Sequence, residues 1–405
     1  MAALKYWLWL TTRPGLSVSA IRRLLERFGA PEEIYAAGAN EYSALGLHLA
    51  EIAALKNKSM RGPEQIIKEC ERLGIFIATC QDAWYPMRLL NIYNSPFVLY
   101  GRGKRILIDE EAAVGIVGAR ECSPYGRKVA GSISYRLAQN GMLVISGLAR
   151  GIDTAAVLGA LKANAPVVGV LGCGLDVVYP KENKAVYEMV AENGLLLSEY
   201  PPGTRPLSRH FPLRNRIISG LSLGVVVVEG RERSGALITA RHALEQGRDV
   251  FAVPGNIDSP LSAAPNRLLR EGAIPLVSWE NVAQEYINLY SHRIRPPAAQ
   301  SGGKEEKSAR EAAGPEPRMK KKEVDKSSAK AYIDLQEHSE ELTKEQQDVL
   351  RALSDQAQAV HVDELMEAAG LPVGRILSAL TVLEIKGLIK QHPGKIFESC
   401  VLIKT

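Results

Sequence analysis

Val114-Gly115-Ile116-Val117-Gly118-Ala119-Arg120 is an apolar run that ends in a glycine-rich turn carrying one cation. Such a run, with no polar alternation, predicts a strand at Val114 to Val117 buried on both faces. The glycines after it permit a turn in which backbone amides approach an anion near the start of the next helix. The pattern repeats downstream. Leu143 to Ser146 leads into Gly147-Leu148-Ala149-Arg150-Gly151-Ile152-Asp153, and Val167 to Leu171 leads into Gly172-Cys173-Gly174-Leu175-Asp176. Further strands are predicted at Leu195 to Glu199, Val225 to Glu229 and Val250 to Val253, separated by helices such as Gly126 to Asn140 and Gly235 to Gln246. Regular β-α alternation from about 110 to 290 is what a parallel sheet covered on both faces requires, so the middle of the chain reads as an α/β, Rossmann-like doubly wound sheet.

Outward from this block the pattern changes. Residues 1–80 read as short helices; in Ser17 to Phe28, the residues Val18, Ile21, Leu24, Leu25 and Phe28 form one stripe, Ser17 is placed to cap it and Gly29 to stop it. Arg13-Pro14-Gly15-Leu16 resembles the tight turn of helix-hairpin-helix modules, whose amides can contact phosphate; a hairpin packed for structural reasons carries the same signature. Residues 81–292 hold the sheet. Across 293–340, Pro, Gly, Ala, Ser and dense charge replace the apolar periodicity, which predicts a flexible charged linker, with a short basic run at Met319 to Lys322. Within 341–405 helical periodicity returns at Lys344 to Leu353, Val362 to Ala369 and Val373 to Lys386. Then Leu388-Ile389, the turn His392-Pro393-Gly394-Lys395 and Ile396-Phe397 suggest a hairpin, completing a winged helix. Its third helix offers few outward cations beyond Arg375 and Lys386, so DNA and protein are both open as its target.

A chain of 405 residues implies two to four domains at ~100 to 200 residues each. Its 46% hydrophobic and 23% charged residues argue against wholesale disorder. The apolar run Tyr6 to Leu10 stops far short of the ~20 residues a spanning helix needs, so neither a membrane span nor an export signal is expected. Cysteines at 70, 80, 122, 173 and 400 are scattered without a CxxC or a neighbouring His pair, which predicts no zinc site, no disulfide framework and a reducing cytoplasm. The formal net charge of +5 is compatible with a polyanionic partner.

All three glycine turns follow predicted strand ends, the edge where doubly wound sheets bind ligands. Gly118 and Gly147 would bring backbone close to a phosphate, or would merely allow close helix-sheet packing. The spacing is not GxGxxG and Arg120 occupies the turn, which suits a backbone phosphate better than a buried pyrophosphate. Asp153 is placed to cap its helix. The segment Arg205 to Arg216 concentrates cations around one aromatic. Single-stranded nucleic acid wants cationic side chains for phosphates and a flat ring for a base, and Arg209 and Phe211 are placed to supply both. Arg214, Asn215 and Arg216 join the candidate site; the alternative is that Phe211 is core and that Arg214 and Arg216 pair with Glu199 and Glu229.

The segments YPMRLLNIYNSPFVLYGRG from Tyr85, GIVGARECSPYG from Gly115, VISGLARGID from Val144, YPKENK from Tyr179, LLLSEYPPG from Leu195, HFPLRNRIISGLS from His210, RSGALITA from Arg233 and GRDVFAVPGNIDSPLS from Gly247 together resemble the DprA/Smf family, the DNA-processing proteins of natural transformation. The match runs over roughly residues 80 to 280, and the helical first part and winged-helix tail resemble a common arrangement of that family, with a SAM-like or helix-hairpin-helix-like first domain. The resemblance implies an extended Rossmann fold that binds single-stranded DNA without cutting it, forms a homodimer, helps load the recombinase RecA and shields incoming DNA. Single-strand-binding protein is a further expected partner, and no cofactor is implied. It also implies that Arg120 and Lys181 contact DNA and that Phe211 contacts a base. The chain departs from the family pattern at Ser208, where relatives carry lysine, at Val157, where they show histidine, and at Ala264, where they show glycine.

A rival is a nucleotide-processing enzyme, since phosphoribohydrolases use glycine loops at the same edge. Their PGGxGT loop is absent; Arg233 to Thr239 stands at the comparable junction, and Glu199 with Glu229 would be the acid/base pair. A metal-dependent nuclease would need ligand spacing that Asp109, Asp153 and Asp176 do not show.

Overall fold

A computed structural model describes residues 2–295 and, nearer the C-terminus, 331–333, 342–354, 360, 361, 364, 365, 370, 373–386, 388–392, 396–399 and 401–403. The basic run Met319 to Lys322, most of the expected linker, most of the expected helix Val362 to Ala369 and the turn residues 393–395 lie outside these. The chain divides into two compact units, Met1–Gly303 and Lys304–Thr405.

The first unit begins with six helices: α1 (Ala2–Thr11), α2 (Val18–Phe28), α3 (Pro31–Ala36), α4 (Ala39–Ser43), α5 (Leu49–Lys56) and α6 (Arg61–Leu73). Ser17 Oγ accepts from the Ala20 amide at 3.1 Å, and Gly29, at φ +79°, closes α2 by donating to the Leu25 carbonyl at 2.8 Å. Both caps are those read from the sequence. Trp9 and Leu10 of α1 bury with Ile21, Leu24 and Tyr42 of the helical cluster, whereas Trp7 and Leu8 bury in the core of the sheet. One helix thereby joins the two cores.

The sheet follows: β1 (Phe76–Thr79), α7 (Met87–Leu90), β2 (Val98–Gly103), β3 (Ala113–Val117), α8 (Pro124–Gln139), β4 (Leu143–Ser146), α9 (Ile152–Lys162), β5 (Val167–Leu171), α10 (Lys184–Asn193) and β6 (Leu195–Ser198). It continues with α11 (His210–Leu221), β7 (Gly224–Val227), α12 (Gly235–Glu245), β8 (Asp249–Ala252), α13 (Ala263–Arg270), β9 (Ile274–Pro275) and α14 (Glu280–Tyr286). The nine strands lie in the order β1-β2-β6-β5-β4-β3-β7-β8-β9. From β6 to β9 all neighbours are parallel, and β1 and β2 extend the sheet in antiparallel fashion. The first strand therefore starts inside the span read as the helical domain. Every residue of β3, β4 and β5 is buried, as a strand covered on both faces must be. Side chains of α8, α9 and α10 fill one face and those of α11, α12 and α13 the other.

In the second unit, α15 (Lys344–Ser354) and α16 (Val373–Ile385) bury Val349, Leu350, Leu353, Ile376, Leu380 and Leu383 together. Strands β11 (Val360–His361), β12 (Ile389–His392) and β13 (Ile396–Ser399) form an antiparallel sheet in the order β11-β13-β12. β10 (Ala331–Ile333), within the span expected to be linker, pairs in parallel with β14 (Val401–Ile403). Helices packed on a β12-β13 hairpin give the winged helix expected from the sequence. Arg375, the cation of α16, is paired with Glu345 at 2.6 Å.

Candidate nucleic-acid interface

Strand order reverses at β3, which has β4 on one side and β7 on the other. Connections leaving β3 and β7 depart to opposite faces, so their carboxyl ends flank an open crevice, the place where doubly wound sheets take ligands. The crevice measures about 360 Å³ and is lined by Gly118, Arg120, Tyr179, Phe211 and Asn215, with Ser234 and Gly235 at the start of α12. A smaller hollow of about 250 Å³ adjoins it, walled by Arg120, Gly147, Arg150, Tyr179 and Phe211.

The Arg120 turn is held from both sides. Ser123 caps α8 by accepting from the Gly126 amide at 3.0 Å, while its own amide and hydroxyl donate to the Glu229 carboxylate at 2.9 and 2.5 Å. Glu229, just beyond β7, thus pins the start of α8. On the other side Ile152 N donates to the Ala119 carbonyl at 3.2 Å. Gly151 there has φ +76°, and a Cβ on it would come within 2.5 Å of the Arg120 carbonyl oxygen. Only glycine fits this position. Arg120 itself is exposed and makes no ion pair among the described residues.

Its guanidinium carbon stands 5.2 Å from the centroid of the half-buried Phe211 ring, a cation–π contact. Tyr179 approaches the same ring at 5.3 Å with 31° between planes and is itself exposed. A cation and two rings therefore share one open crevice. Tyr179 lies within the YPKENK segment, from which the resemblance singles out only Lys181; an aromatic two residues from a cation in a surface motif is the signal for it.

The expected site residues divide. Gly118, Arg120, Phe211 and Asn215 meet at the crevice, and Gly147 floors the adjoining hollow. Lys181 and Arg209 are exposed but line neither space; Lys181 begins a short 3-10 turn two residues past Tyr179, and Arg209 immediately precedes α11. Asn215 is held by neighbours, accepting from Arg214 Nε at 3.3 Å and donating to the Gly235 carbonyl at 3.4 Å.

Arg214 and Arg216, expected among the DNA-contacting cations, are both buried; Arg214 nevertheless belongs to the lining of the crevice and of the hollow, whereas Arg216 lines neither. Arg216 Nη2 donates to both Glu199 oxygens at 2.7 Å, the pairing the alternative reading foresaw. Arg214 donates to the Gly147 carbonyl at 2.8 Å and to that of Val170, and it faces Asp153 rather than Glu229. Its position follows from the helix: His210, Arg214, Ile217, Ile218 and Leu221 are the buried stripe of α11. Burial pulls the Arg214 guanidinium down to about 10, still cationic at neutral pH. Burial also pushes the Asp153 carboxyl up, opposed by Arg214 and the Ala149 and Gly147 amides. A Cβ on Gly147 would stand 2.5 Å from Arg214 Nη2 and 2.7 Å from Asp153 Oδ2, so this pair sets the height of the Gly147 turn.

Glu199 and Glu229, the possible acid/base pair, are thus committed to Arg216 and Ser123. Among the described residues no cluster of three or more His, Cys, Asp or Glu is arranged to hold a metal ion. Of the three departures from the family pattern, Val157 is buried in the core, and Ala264 is buried with its amide on the Gly230 carbonyl at 2.9 Å. Ser208 is exposed on the crevice wall.

Residues 76–287 match the family model described as DNA recombination-mediator protein A, and residues 335–395 match the DprA winged helix domain. DNA processing protein DprA of Bacillus subtilis is 41% identical over 240 residues, spanning 58% of this chain and 80% of that protein. DNA processing protein DprA of Streptococcus pneumoniae is 37% identical over 293 residues, spanning 71% of this chain and 99% of that one. The X-ray structure of DNA processing protein A from Streptococcus pneumoniae superposes with a TM-score of 0.61 at 35% identity, covering 69% of this chain and 97% of that chain. With the doubly wound sheet, the winged helix and these matches, the chain belongs to the DNA recombination-mediator protein A family, the DprA/Smf group of DNA-processing proteins.

Proposed function

We propose that this protein binds single-stranded DNA in the crevice at the β3-β7 switch point, as a recombination mediator that breaks no bond. The observation that carries this is the juxtaposition of the exposed Arg120 with the face of Phe211, which Tyr179 approaches in turn. A guanidinium can take a backbone phosphate while an adjacent ring stacks on an unpaired base; a duplex keeps its bases stacked inside and offers the rings nothing. Lys181 and Arg209, exposed at the flanks, extend the positive rim. In this reading residues 81–292 carry the DNA contact.

The finer role rests on family resemblance: protection of incoming DNA in natural transformation, loading of the RecA recombinase on DNA covered by single-strand-binding protein, a homodimeric assembly and a cytoplasmic location. No helix among the described residues is long and apolar enough to cross a membrane, which is consistent with this. The enzyme alternative is disfavoured by the commitment of Glu199 and Glu229 to structural hydrogen bonds. The test is a strand-exchange assay with RecA on DNA coated by single-strand-binding protein. Stimulation by the wild type and its loss in Arg120→Ala support the reading; no stimulation removes the loading role, and hydrolysis of a nucleotide would restore the enzyme.

A further inference from the structure

Beside the crevice runs a larger groove of about 750 Å³ between α8 and α9. Arg127 and Lys128 of α8 and Lys162 at the end of α9 line it, and Arg120 and Arg150 stand at its mouth. All five are exposed, and Arg127, Lys128 and Lys162 make no ion pair among the described residues. One carboxylate, Glu182, belongs to the lining, and it is paired with Arg150; Glu121 stands near Arg150 as well. The groove exists because the helices are packed through glycines: a Cβ on Gly159 would collide with the Gly131 carbonyl oxygen. Small residues there sink the floor, while long cationic side chains rise at the rims.

Three features point to one occupant. Arg120 and Arg150 line both this groove and the hollow beside Phe211, so the two spaces adjoin at these two cations. The lining carries several cations against a single paired acid, which suits a polyanion and disfavours an apolar or basic partner. Of the neutral polar side chains on the wall, Asn183 already donates to the Leu148 carbonyl and to Thr154 Oγ1 at 2.9 Å, and Thr154 donates to the Ala149 carbonyl, which leaves Ser132 and Tyr135 to meet a base edge.

We propose that the α8-α9 groove is a second, sequence-independent track for the sugar-phosphate backbone of the strand held at Phe211. The proposal rests on the single-strand reading above and extends it to where the chain of phosphates leaves the crevice. From Arg127 to Tyr135 the helix rises ~12 Å, which at ~3.4 Å per stacked nucleotide accommodates about three nucleotides. The groove therefore matters only to strands long enough to enter it.

The test uses the full chain, fluorescence anisotropy, and two oligothymidylates, one of ~6 nucleotides and one of ~16, across a salt series. The triple variant Arg127→Gln/Lys128→Gln/Lys162→Gln removes three phosphate partners, so the slope of log affinity against log salt for the long strand becomes shallower by about 2. Over an approximately fourfold rise in salt the wild-type advantage then shrinks by about twentyfold, while the short strand binds both proteins alike. Arg120→Ala weakens both strands. An unchanged long-strand slope in the triple variant, or an equal loss for the short strand, overturns the track. Loss on the long strand in the triple variant with no effect of Arg120→Ala on either strand would instead sink the crevice reading and leave the groove standing. Lys128→Glu alone, at an exposed site, repeats the measurement with a milder change should the triple variant melt early.

Discussion

Phe211→Ala separates stacking from charge. The ring is half-buried, with one face under the Arg120 guanidinium at 5.2 Å and its neighbour Tyr179 at 5.3 Å. Its removal leaves the sheet intact, since the buried stripe of α11 runs through His210, Arg214, Ile217, Ile218 and Leu221 and omits it. Stacking of one base is worth ~1 to 3 kcal/mol, so affinity for single-stranded DNA falls by roughly 5- to 150-fold. No charge is lost, so the salt slope stays put. Arg120→Ala behaves in the opposite way: it removes one phosphate partner, and the slope becomes shallower by about 0.7. Because the two side chains touch, the double variant loses less than the sum of the singles, by about 0.5 to 1 kcal/mol for an exposed cation–π pair. Anisotropy titrations at several salt concentrations on the four proteins give all these quantities. If Phe211→Ala changes the slope as Arg120→Ala does, or leaves affinity untouched, the division of labour assigned to the crevice is wrong.

Other perturbations probe its supports. Arg214→Met leaves Asp153 buried without its counter-charge and costs about 3 to 5 kcal/mol of stability, read as a lower urea midpoint. Gly151→Ala forces a side chain to φ +76° against the Ala119 and Arg120 carbonyls; the backbone angle alone costs about 1 to 2 kcal/mol of stability, the collision adds to it, and DNA affinity falls because the Arg120 turn must shift. Burial pushes the thiols of Cys80 and Cys173 up to about 11 and that of Cys70 up to about 12. Native alkylation at pH 8 therefore reaches these three far more slowly than it does in urea, as peptide mass spectrometry would record. Their native values lie above the unfolded one near 9, so this contribution to stability is complete below pH 9 and declines as pH rises toward 11.

Much of the fold can be read from residue pattern. Leu143 to Ser146 and Val167 to Leu171 begin and end as expected because each is an unbroken apolar run closed by a glycine loop, and Ser17 with Gly29 bounds α2 by capping chemistry alone. Phe76–Thr79 and Val98–Gly103 are less legible. They are followed by no glycine loop that opens a covering helix, and their antiparallel pairing is set by distant partners in the sheet. The cations of the candidate site show the same limit. Arg120 sits in a turn that points outward, so local sequence suffices, whereas Arg214 is drawn inward by the side of α11 that faces the sheet and Arg209, the residue before that helix, is not. Helical spacing from Ile217 and Leu221 back to Arg214 and His210 carried that information. The groove between α8 and α9 has no linear signature, since its rim cations Arg127 and Lys128 stand 35 and 34 positions from Lys162 and its depth comes from the contact of Gly131 with Gly159.

Titration of the full chain with matched fluorescent single- and double-stranded oligonucleotides, followed by denaturing electrophoresis of the recovered DNA, tests the central claim most directly. Tighter binding of the single strand, with affinity falling steeply as salt rises and every strand recovered at full length, is the predicted result. Equal or stronger binding of the duplex, or shortened DNA, contradicts it.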